Sequence, residues 1–479
     1  MSPPPHILLI LTDQQRADCL GCAGHPLLQT PHMDALAASG VRFSNCFTTS
    51  PLCVPMRLSL TTGLYPHNSN AWQGDATCPL DADTYMHGLR RLGYRTCSIG
   101  KNHLYEMENC DLYANEERYR AIGFDHIEDM SGTWGVIGGT SVYTDHLQRL
   151  GLLGELRRYL KQLEDRPDEE RRFIGEALPL PAEHYIDAFI ARRVARYVDA
   201  FPDGRPSFVY VGFQGPHEPW DAPDEYAERF PLAQIPDPIP ELPDGDWLPE
   251  RSRTYQRWAQ YYQPKDPLDL KQITARYLGK IAQIDDSIGR ILQAYERKGW
   301  LDNTAVILAS DHGEMLGNLG RLSKSMFYES ALRVPLIVRL PREGGGRAVR
   351  EEFVETIDLH ATLLEIAGGT TDDRKDSRSL LPLIRECDEG ARQDVLSEVH
   401  AHYMLRTAGW KLVVGRDGQT LQLFDLERDP LEQRNLCGRP DWGRRELELR
   451  SQLLARITRD TYRPGTIDPE YCGHAFPPT

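Results

Sequence analysis

The stretch HILLILTDQ, residues 6–14, decides the fold class. Ile7 to Leu11 are continuously apolar, without the alternation of a half-exposed strand, so the segment reads as a strand covered on both faces. It ends in Asp13-Gln14, which puts an acid and an amide at a strand's carboxyl end, where open α/β sheets carry their ligands. Outward from there, Thr30-Pro31 offers an N-cap and a first-turn proline for a helix over Met33–Ser39. Thr84–Leu92 and then, past Gly93, Tyr94–Ile99 repeat helix and strand. Tyr185–Phe201 is an amphipathic helix, with Ile186, Phe189, Ile190, Val194, Tyr197 and Val198 at helical spacing. It leads through Pro202-Asp203-Gly204 into a strand at Ser207–Gly212. Leu268–Arg297 is a second long helix before the strand Ala305–Ser310, and Arg333–Val338 reads as one more strand. The alternation implies an α/β fold, a mostly parallel, doubly wound sheet flanked by helices.

Two segments break that rhythm. From Tyr105 to about Pro181 the chain is polar and weakly periodic, and from Pro216 to about Pro267 it is dense in proline and aromatics. Long connections that begin just after strands read as walls of a pocket. Trp220, Tyr226, Trp247 and Trp258 are packing anchors on this reading, in preference to an aromatic wall for a sugar, aryl ring or quaternary ammonium. Beyond about Gly368 the texture changes, with a hydrophilic linker at Thr370–Ser379. Strand-like runs follow at Ala401–Thr407, Trp410–Val414 and Leu421–Asp425, with a closing helix at Leu447–Ile457. The expected division is a catalytic α/β domain over 1–370, with insertions at about 105–181 and 216–267, and a C-terminal α+β subdomain with a small antiparallel sheet over 380–479.

The 479 residues carry 55 basic and 70 acidic side chains, a formal charge of −15, and 40% are hydrophobic. That composition excludes a disordered, collagen-like or coiled-coil chain. The acidic balance argues against nucleic acid as a partner, since a phosphate backbone needs a cationic surface. No apolar run approaches the roughly 20 residues of a membrane span. The N-terminus lacks a basic region and a small-residue cleavage site. With ten scattered cysteines and a lone Cys19-x-x-Cys22 of no assigned role, reduced thiols and a cytoplasmic location are expected.

Ser310-Asp311-His312-Gly313 also follows an apolar strand directly. With Asp13 and Gln14 it offers two carboxylates, an amide oxygen and an imidazole, a donor set suited to calcium, magnesium or manganese more than to thiolate zinc. The segment Cys53-Val-Pro55-Met-Arg57-Leu-Ser-Leu-Thr-Thr62-Gly63 has the form C-x-P-x-R-x4-T-G. It resembles the signature of the type I sulfatases of the alkaline-phosphatase-like superfamily, in which this cysteine is oxidised to formylglycine. Gly100-Lys101-Asn102-His103 is similar to the family's G-K-x-H loop and Pro216-His217-Glu218-Pro219 to its P-H-x-P element. Lys324 stands in a similar K-x-x-x-Y-E. Leu423-Phe424-Asp425-Leu426, Asp429-Pro430, Glu432 and Asn435-Leu436 resemble the family's C-terminal strand and turn. Gln14 and His312 replace the more usual Asp and Asn, and look like the versions in choline sulfatases and phosphonate monoester hydrolases.

The resemblance implies one divalent cation on Asp13, Gln14, Cys53, Asp311 and His312, calcium first and manganese as the alternative. It implies formylglycine at position 53, made by a formylglycine-generating maturation enzyme, as the nucleophile toward a small sulfate ester. Asp311 would help deprotonate the attacking hydroxyl, and His103 would serve as the base that expels sulfate. His217, with Lys324, would protonate the departing alcohol. Arg57, Lys101, His217 and Lys324 are the implied substrate contacts, giving a local positive basin in an acidic protein. The expected reaction is sulfate-ester hydrolysis to an alcohol and inorganic sulfate. The alternatives are a phosphonate monoester or phosphodiester hydrolase on the same site, and a non-catalytic relative in which Cys53 stays a thiol. His25, His32, His67 and His87 are read as structural or surface residues, and a homo-oligomer is compatible with the sequence.

Overall fold

The computed structural model describes residues 3–106, 111–166, 176–201, 204–240, 249–259, 267–341, 348–386 and 391–461. Pro202 and Asp203 of the expected turn, Trp247, the Trp258 side chain and residues 462–479 of the C-terminal subdomain lie outside the described residues. So do 107–110, 167–175, 241–248 and 260–266 of the two long insertions.

In chain order the strands are β1 (His6–Asp13), β2 (Val41–Phe43), β3 (Cys46–Phe47), β4 (Arg95–Gly100), β5 (His126–Asp129), β6 (Ser207–Pro216) and β7 (Thr304–Ser310). They continue with β8 (Leu336–Arg339), β9 (Ala348–Arg350), β10 (Val354–Glu355), β11 (Asp394–Val399), β12 (His402–Thr407), β13 (Trp410–Val414) and β14 (Thr420–Asp425). The main sheet has the order β5-β4-β6-β1-β7-β8-β2-β9. From β5 to β7 every pairing is parallel. The strand expected at Arg333–Val338 is β8, and it runs antiparallel to both its neighbours, β7 and β2. The core residues of β1 alternate between two clusters. Leu8 and Ile10 face one layer of helices, while Ile7, Leu9 and Leu11 face the other, which is why the strand is apolar throughout.

Helices cover both faces, as the alternation predicts. The long helix Pro267–Arg297 packs on Ile186–Ala200 and on β6. Thr30 does not cap the helix Pro31–Ala38; its hydroxyl is engaged with Asp34. The cap comes instead from Asp285, 252 residues beyond Met33, which accepts from the amides of His32 and Met33 at 3.1 and 2.8 Å. The 105–181 segment is more than a wall. It supplies the edge strand β5 and the helices Glu116–Ala121, Val142–Arg149 and Leu153–Glu164. The last of these buries Leu153, Leu156, Leu160 and Leu163 at helical spacing. Trp220 and Tyr226 are 1% and 7% exposed, and so pack.

Near the C-terminus β11 to β14 form an antiparallel sheet with period-two burial. Leu396, Leu405, Leu412 and Leu423 face Leu449 and Leu453 of the helix Gly443–Thr461. Val395, Val399, Met404 and Val413 face Phe47 and Phe327 from the rest of the chain. No helix among the described residues is long and apolar enough to cross a membrane.

The helix Cys53–Thr62 is buried at every position and ends at Gly63, whose φ of 71° favours a residue free of a Cβ. A Cβ there would come within 2.9 Å of the His360 ring. Burial, with Lys375 nearby, pushes the His360 pKa down to about 4 from an ordinary 6.5. Between those values the unfolded chain binds a proton that the native chain does not, so stability is lost as pH falls from 6.5 toward 4. The lowered value corresponds to at most about 3 kcal/mol. Thermal melts of His360→Gln and the unaltered protein at pH 7.5 and pH 4.5 should show the smaller acid loss in the variant; equal losses would contradict a neutral buried imidazole.

Candidate active site

Parallel strands converge on one edge. Asp13 ends β1 and Asp311 follows β7, with Thr12 and Ser310 in register. Pro216 of β6 pairs with Asp13, so His217 emerges beside it, and Lys101 follows the end of β4. The helix bearing Cys53 at its first residue points its N-terminus, with its unsatisfied amides and positive dipole end, into the same space. The loop before Cys53 is tied to both sides of the site. Thr48 Oγ1 donates to the Asp311 carbonyl at 2.5 Å, and the Ser325 amide donates to the Pro51 carbonyl at 2.8 Å.

Arg57, one turn along that helix and 2% exposed, clamps the strand tips. Its Nε and Nη2 donate to Asp311 Oδ2 at 3.0 and 2.9 Å, and Nη2 also donates to Asp13 Oδ2 at 3.2 Å. Its Nη1 donates to the Lys101 carbonyl and the Tyr210 hydroxyl at 2.7 and 2.8 Å. The sequence reading puts Arg57 among the substrate contacts. In the structure its donors are engaged by protein acceptors beneath the site. Lys101 Nζ lies 2.5 Å from Asp13 Oδ2. Burial and Cys53 push the Asp13 carboxyl up, but Lys101, His217 and Arg57 together hold it below the usual carboxylate range.

One ligand atom each from Asp13, Cys53, Asp311 and His312 lies within 4.8 Å of the others, and all four residues are buried. His312 Nδ1 donates to the Gly313 carbonyl at 2.9 Å, which directs Nε2 at the cluster, 3.0 Å from Cys53 Sγ. Burial lowers the His312 pKa, yet Asp311 and Cys53 outweigh it and raise the value to about 9. Burial also penalises a Cys53 thiolate, but Lys324, His312 and Lys101, with a hydrogen bond from His103, carry its pKa well below the ordinary value. Two carboxylates, an imidazole and an anionic position 53, enclosed together, form a donor set that fits a divalent cation.

Around this cluster stands a ring of polar groups. Gln14, with φ of 72°, donates from its backbone to Asp311 Oδ1 at 2.9 Å. Its side-chain Oε1 accepts from Lys324 Nζ, while Nε2 donates to Glu218, at 2.9 Å, and to Glu314. Lys324 Nζ also lies 2.5 Å from His217 Nε2, and His217 Nδ1 donates to the Glu218 carbonyl at 2.6 Å. His103 is exposed at the rim, with φ of 57°. Ser323 and Ser325, on either side of Lys324, have φ of 69° and 68°. Non-glycine residues in this region cost on the order of 1–3 kcal/mol each and gather at functional sites. The sequence reading missed Tyr210, Glu218 and Glu314. Glu218 sits inside a quoted motif and Glu314 directly follows one, a usable signal; Tyr210 lies in a strand buried on both faces and gives none.

The sulfatase family model matches residues 5–369, and a model for the C-terminal part of N-sulphoglucosamine sulphohydrolase matches 317–459. An arylsulfatase of Clostridium perfringens is 27% identical over 467 residues, covering 95% of this chain and 94% of its own. A choline-sulfatase of Rhizobium meliloti is 28% identical, covering 91% of this chain and 83% of its own. The structure of a phosphonate monoester hydrolase from Silicibacter pomeroyi superposes with a TM-score of 0.81 at 25% identity, covering 97% of this chain and 98% of its own. A family model spanning most of the chain, over a sheet whose tips gather these side chains, settles its membership: the chain belongs to the sulfatase family.

Proposed function

We propose that this chain hydrolyses a small sulfate ester to an alcohol and inorganic sulfate, using formylglycine derived from Cys53 and one divalent cation. The observation that carries this reading is the grouping of Asp13, Cys53, Asp311 and His312 at the head of a buried helix. Asp13, Gln14, Asp311 and His312, with the side chain at position 53, would hold the cation, calcium first and manganese as the alternative. Such a cation supplies Lewis acidity and neutralises charge on the sulfuryl oxygens. Oxidised to formylglycine and hydrated, position 53 supplies one hydroxyl to attack sulfur and a second whose deprotonation expels sulfate.

The chain's own groups do the rest. Arg57 keeps Asp13 and Asp311 ionised and oriented without touching substrate. Lys101 and Lys324 bring positive charge to the anion; at an effective dielectric of 20 a cation about 4 Å away contributes roughly 4 kcal/mol. His217 Nδ1 is occupied by the Glu218 carbonyl, so the proton for the leaving alkoxide resides on the His217 Nε2 and Lys324 Nζ pair. His103 at the rim takes the proton from position 53 that sulfate release requires. Free thiols at Cys19, Cys46, Cys78, Cys97 and Cys437 support a cytoplasmic setting, where a formylglycine-generating enzyme must act on Cys53. Residues 1–370 would form the catalytic unit and 380–479 the appended one.

A second reading keeps the site and changes the ester to a phosphonate monoester or phosphodiester, also monoanions. The likeness to the Silicibacter pomeroyi hydrolase and the Gln14 and His312 pair support it. A panel of aryl sulfate, choline sulfate and an aryl phosphodiester separates the two, with the larger kcat/KM expected on a sulfate; a larger value on the phosphodiester favours the second. The tryptic peptide containing Cys53, from a host with the maturation system, should weigh about 18 Da less than its cysteine form, by the exchange of CH2SH for CHO. Cys53→Ala should lose at least about 10⁴-fold in kcat, as nucleophile removal does. An unchanged mass with full activity would contradict the proposal. Arg57→Met should strand two buried carboxylates, lowering stability by about 3–5 kcal/mol in denaturant titration; wild-type stability would contradict the clamp.

A further inference from the structure

Lys280 lies outside every motif of the sequence. It sits midway along the helix Pro267–Arg297 and is 3% exposed. Its ammonium donates to Asp221 Oδ1 at 2.6 Å and to the backbone carbonyls of His217 and Pro219, each at 3.3 Å. An ammonium has three N–H donors, and here three acceptors meet them. From the adjoining helix Ile186–Ala200, Asp187 accepts the Gln214 amide at 2.7 Å and the Gly215 amide at 3.2 Å. Gly215 is pressed between the two side chains; a Cβ there would come 2.7 Å from Asp187 Oδ2 and 3.1 Å from Lys280 Cε. Asp221 is anchored on its other oxygen by the Thr133 hydroxyl at 3.2 Å. The backbone from Gln214 to Asp221 is therefore gripped from below by charged groups on two helices.

We propose that Lys280 is the positioning residue that aims His217 at the leaving-group oxygen, an inference that rests on the assignment of His217 under the proposed function. A buried ammonium that loses any of its acceptors is strongly unfavourable, so the three acceptors are locked relative to one another. Two of the three are carbonyls of the His217 loop, and the third is the carboxylate that ends it. The rigid helix thus transmits its position to a loop whose imidazole must stay within hydrogen-bond reach of a departing oxygen. Loops unsupported in this way are the mobile part of a fold, and a displacement of about 1 Å is enough to cost catalysis.

The test compares two leaving groups, because the proton matters for one and not for the other. Lys280→Met is combined with Asp221→Asn, so that Asp221 is not left ionised without its ammonium partner, while Asp187 keeps the Gln214 and Gly215 amides. kcat/KM is measured on 4-nitrophenyl sulfate, whose phenolate leaves unaided, and on an alkyl sulfate, whose alkoxide needs a proton. The double variant should lose about 100-fold or more on the alkyl ester and less than about threefold on the aryl ester, with the loss in kcat and not in KM. Lys280→Arg keeps the charge and the fold but cannot bring three donors onto the same acceptors, and should show the same bias at about tenfold. A wild-type alkyl rate in either variant, or equal losses on both esters, overturns the inference. His217→Ala is the reference. If it shows the alkyl-selective loss and the Lys280 variants do not, only this inference falls; if it shows none, the role of His217 falls with it. If the phosphodiester reading holds, the same leaving groups on a phosphodiester serve.

Discussion

Two carboxylates that the fold forces together, and the guanidinium that lets them stay together, underlie the rest of the site. Asp13 and Asp311 terminate hydrogen-bonded neighbours in a parallel sheet, so their backbones sit about 4.8 Å apart whatever their side chains prefer. Like charges at that spacing repel by about 3–4 kcal/mol at an effective dielectric of 20. Arg57 relieves this from below by bonding to both, and Lys101 does so from the side. Since Arg57 and Cys53 lie one turn apart on a single buried helix, the same contact that stabilises the acids fixes Cys53 above them. Arg57 is thus structural glue and electrostatic counterweight together.

Global and local charge oppose each other in this molecule. The chain carries a formal charge of −15, yet the site would receive a monoanion. The answer is local. Lys101, Lys324, Arg57 and the helix N-terminus surround the acids, and Glu218 and Glu314 hold Gln14 in place. Burial makes each of these interactions stronger than it would be at the surface, and makes each unmatched charge correspondingly expensive. The left-handed backbone at Gln14, His103, Ser323 and Ser325 has the same origin, since side chains that must converge on one point cannot all be served by regular strands and helices.

Much of this was legible in the sequence. The unbroken apolar run Ile7–Leu11 announced a strand covered on both faces, and the acids at the ends of β1 and β7 marked the functional edge. The C-x-P-x-R pattern singled out Cys53 and Arg57, while the helix that carries both emerged only in the structure. Other features depended on three-dimensional partners that no local pattern encodes. Thr30 looked like a cap, but Asp285, far along the chain, does the capping. Arg57 read as an anion contact from its motif, and its five hydrogen bonds to four protein acceptor atoms reach other parts of the chain. The amphipathic helix Leu153–Glu164 was hidden by the charged residues around its four leucines. Lys280 could not be told from a surface lysine until the helix packed beneath the His217 loop.

The claim at the centre of this structure is that the tips of β1 and β7 jointly build one cation site beneath position 53. Calorimetric titration of chelator-treated protein with calcium, and separately with manganese, tests it directly. One ion per chain is expected for the unaltered protein, with binding weakened by at least about 100-fold in both Asp13→Asn and Asp311→Asn, consistent with the loss of a direct ligand. Unaltered stoichiometry and affinity in either variant would contradict a shared site.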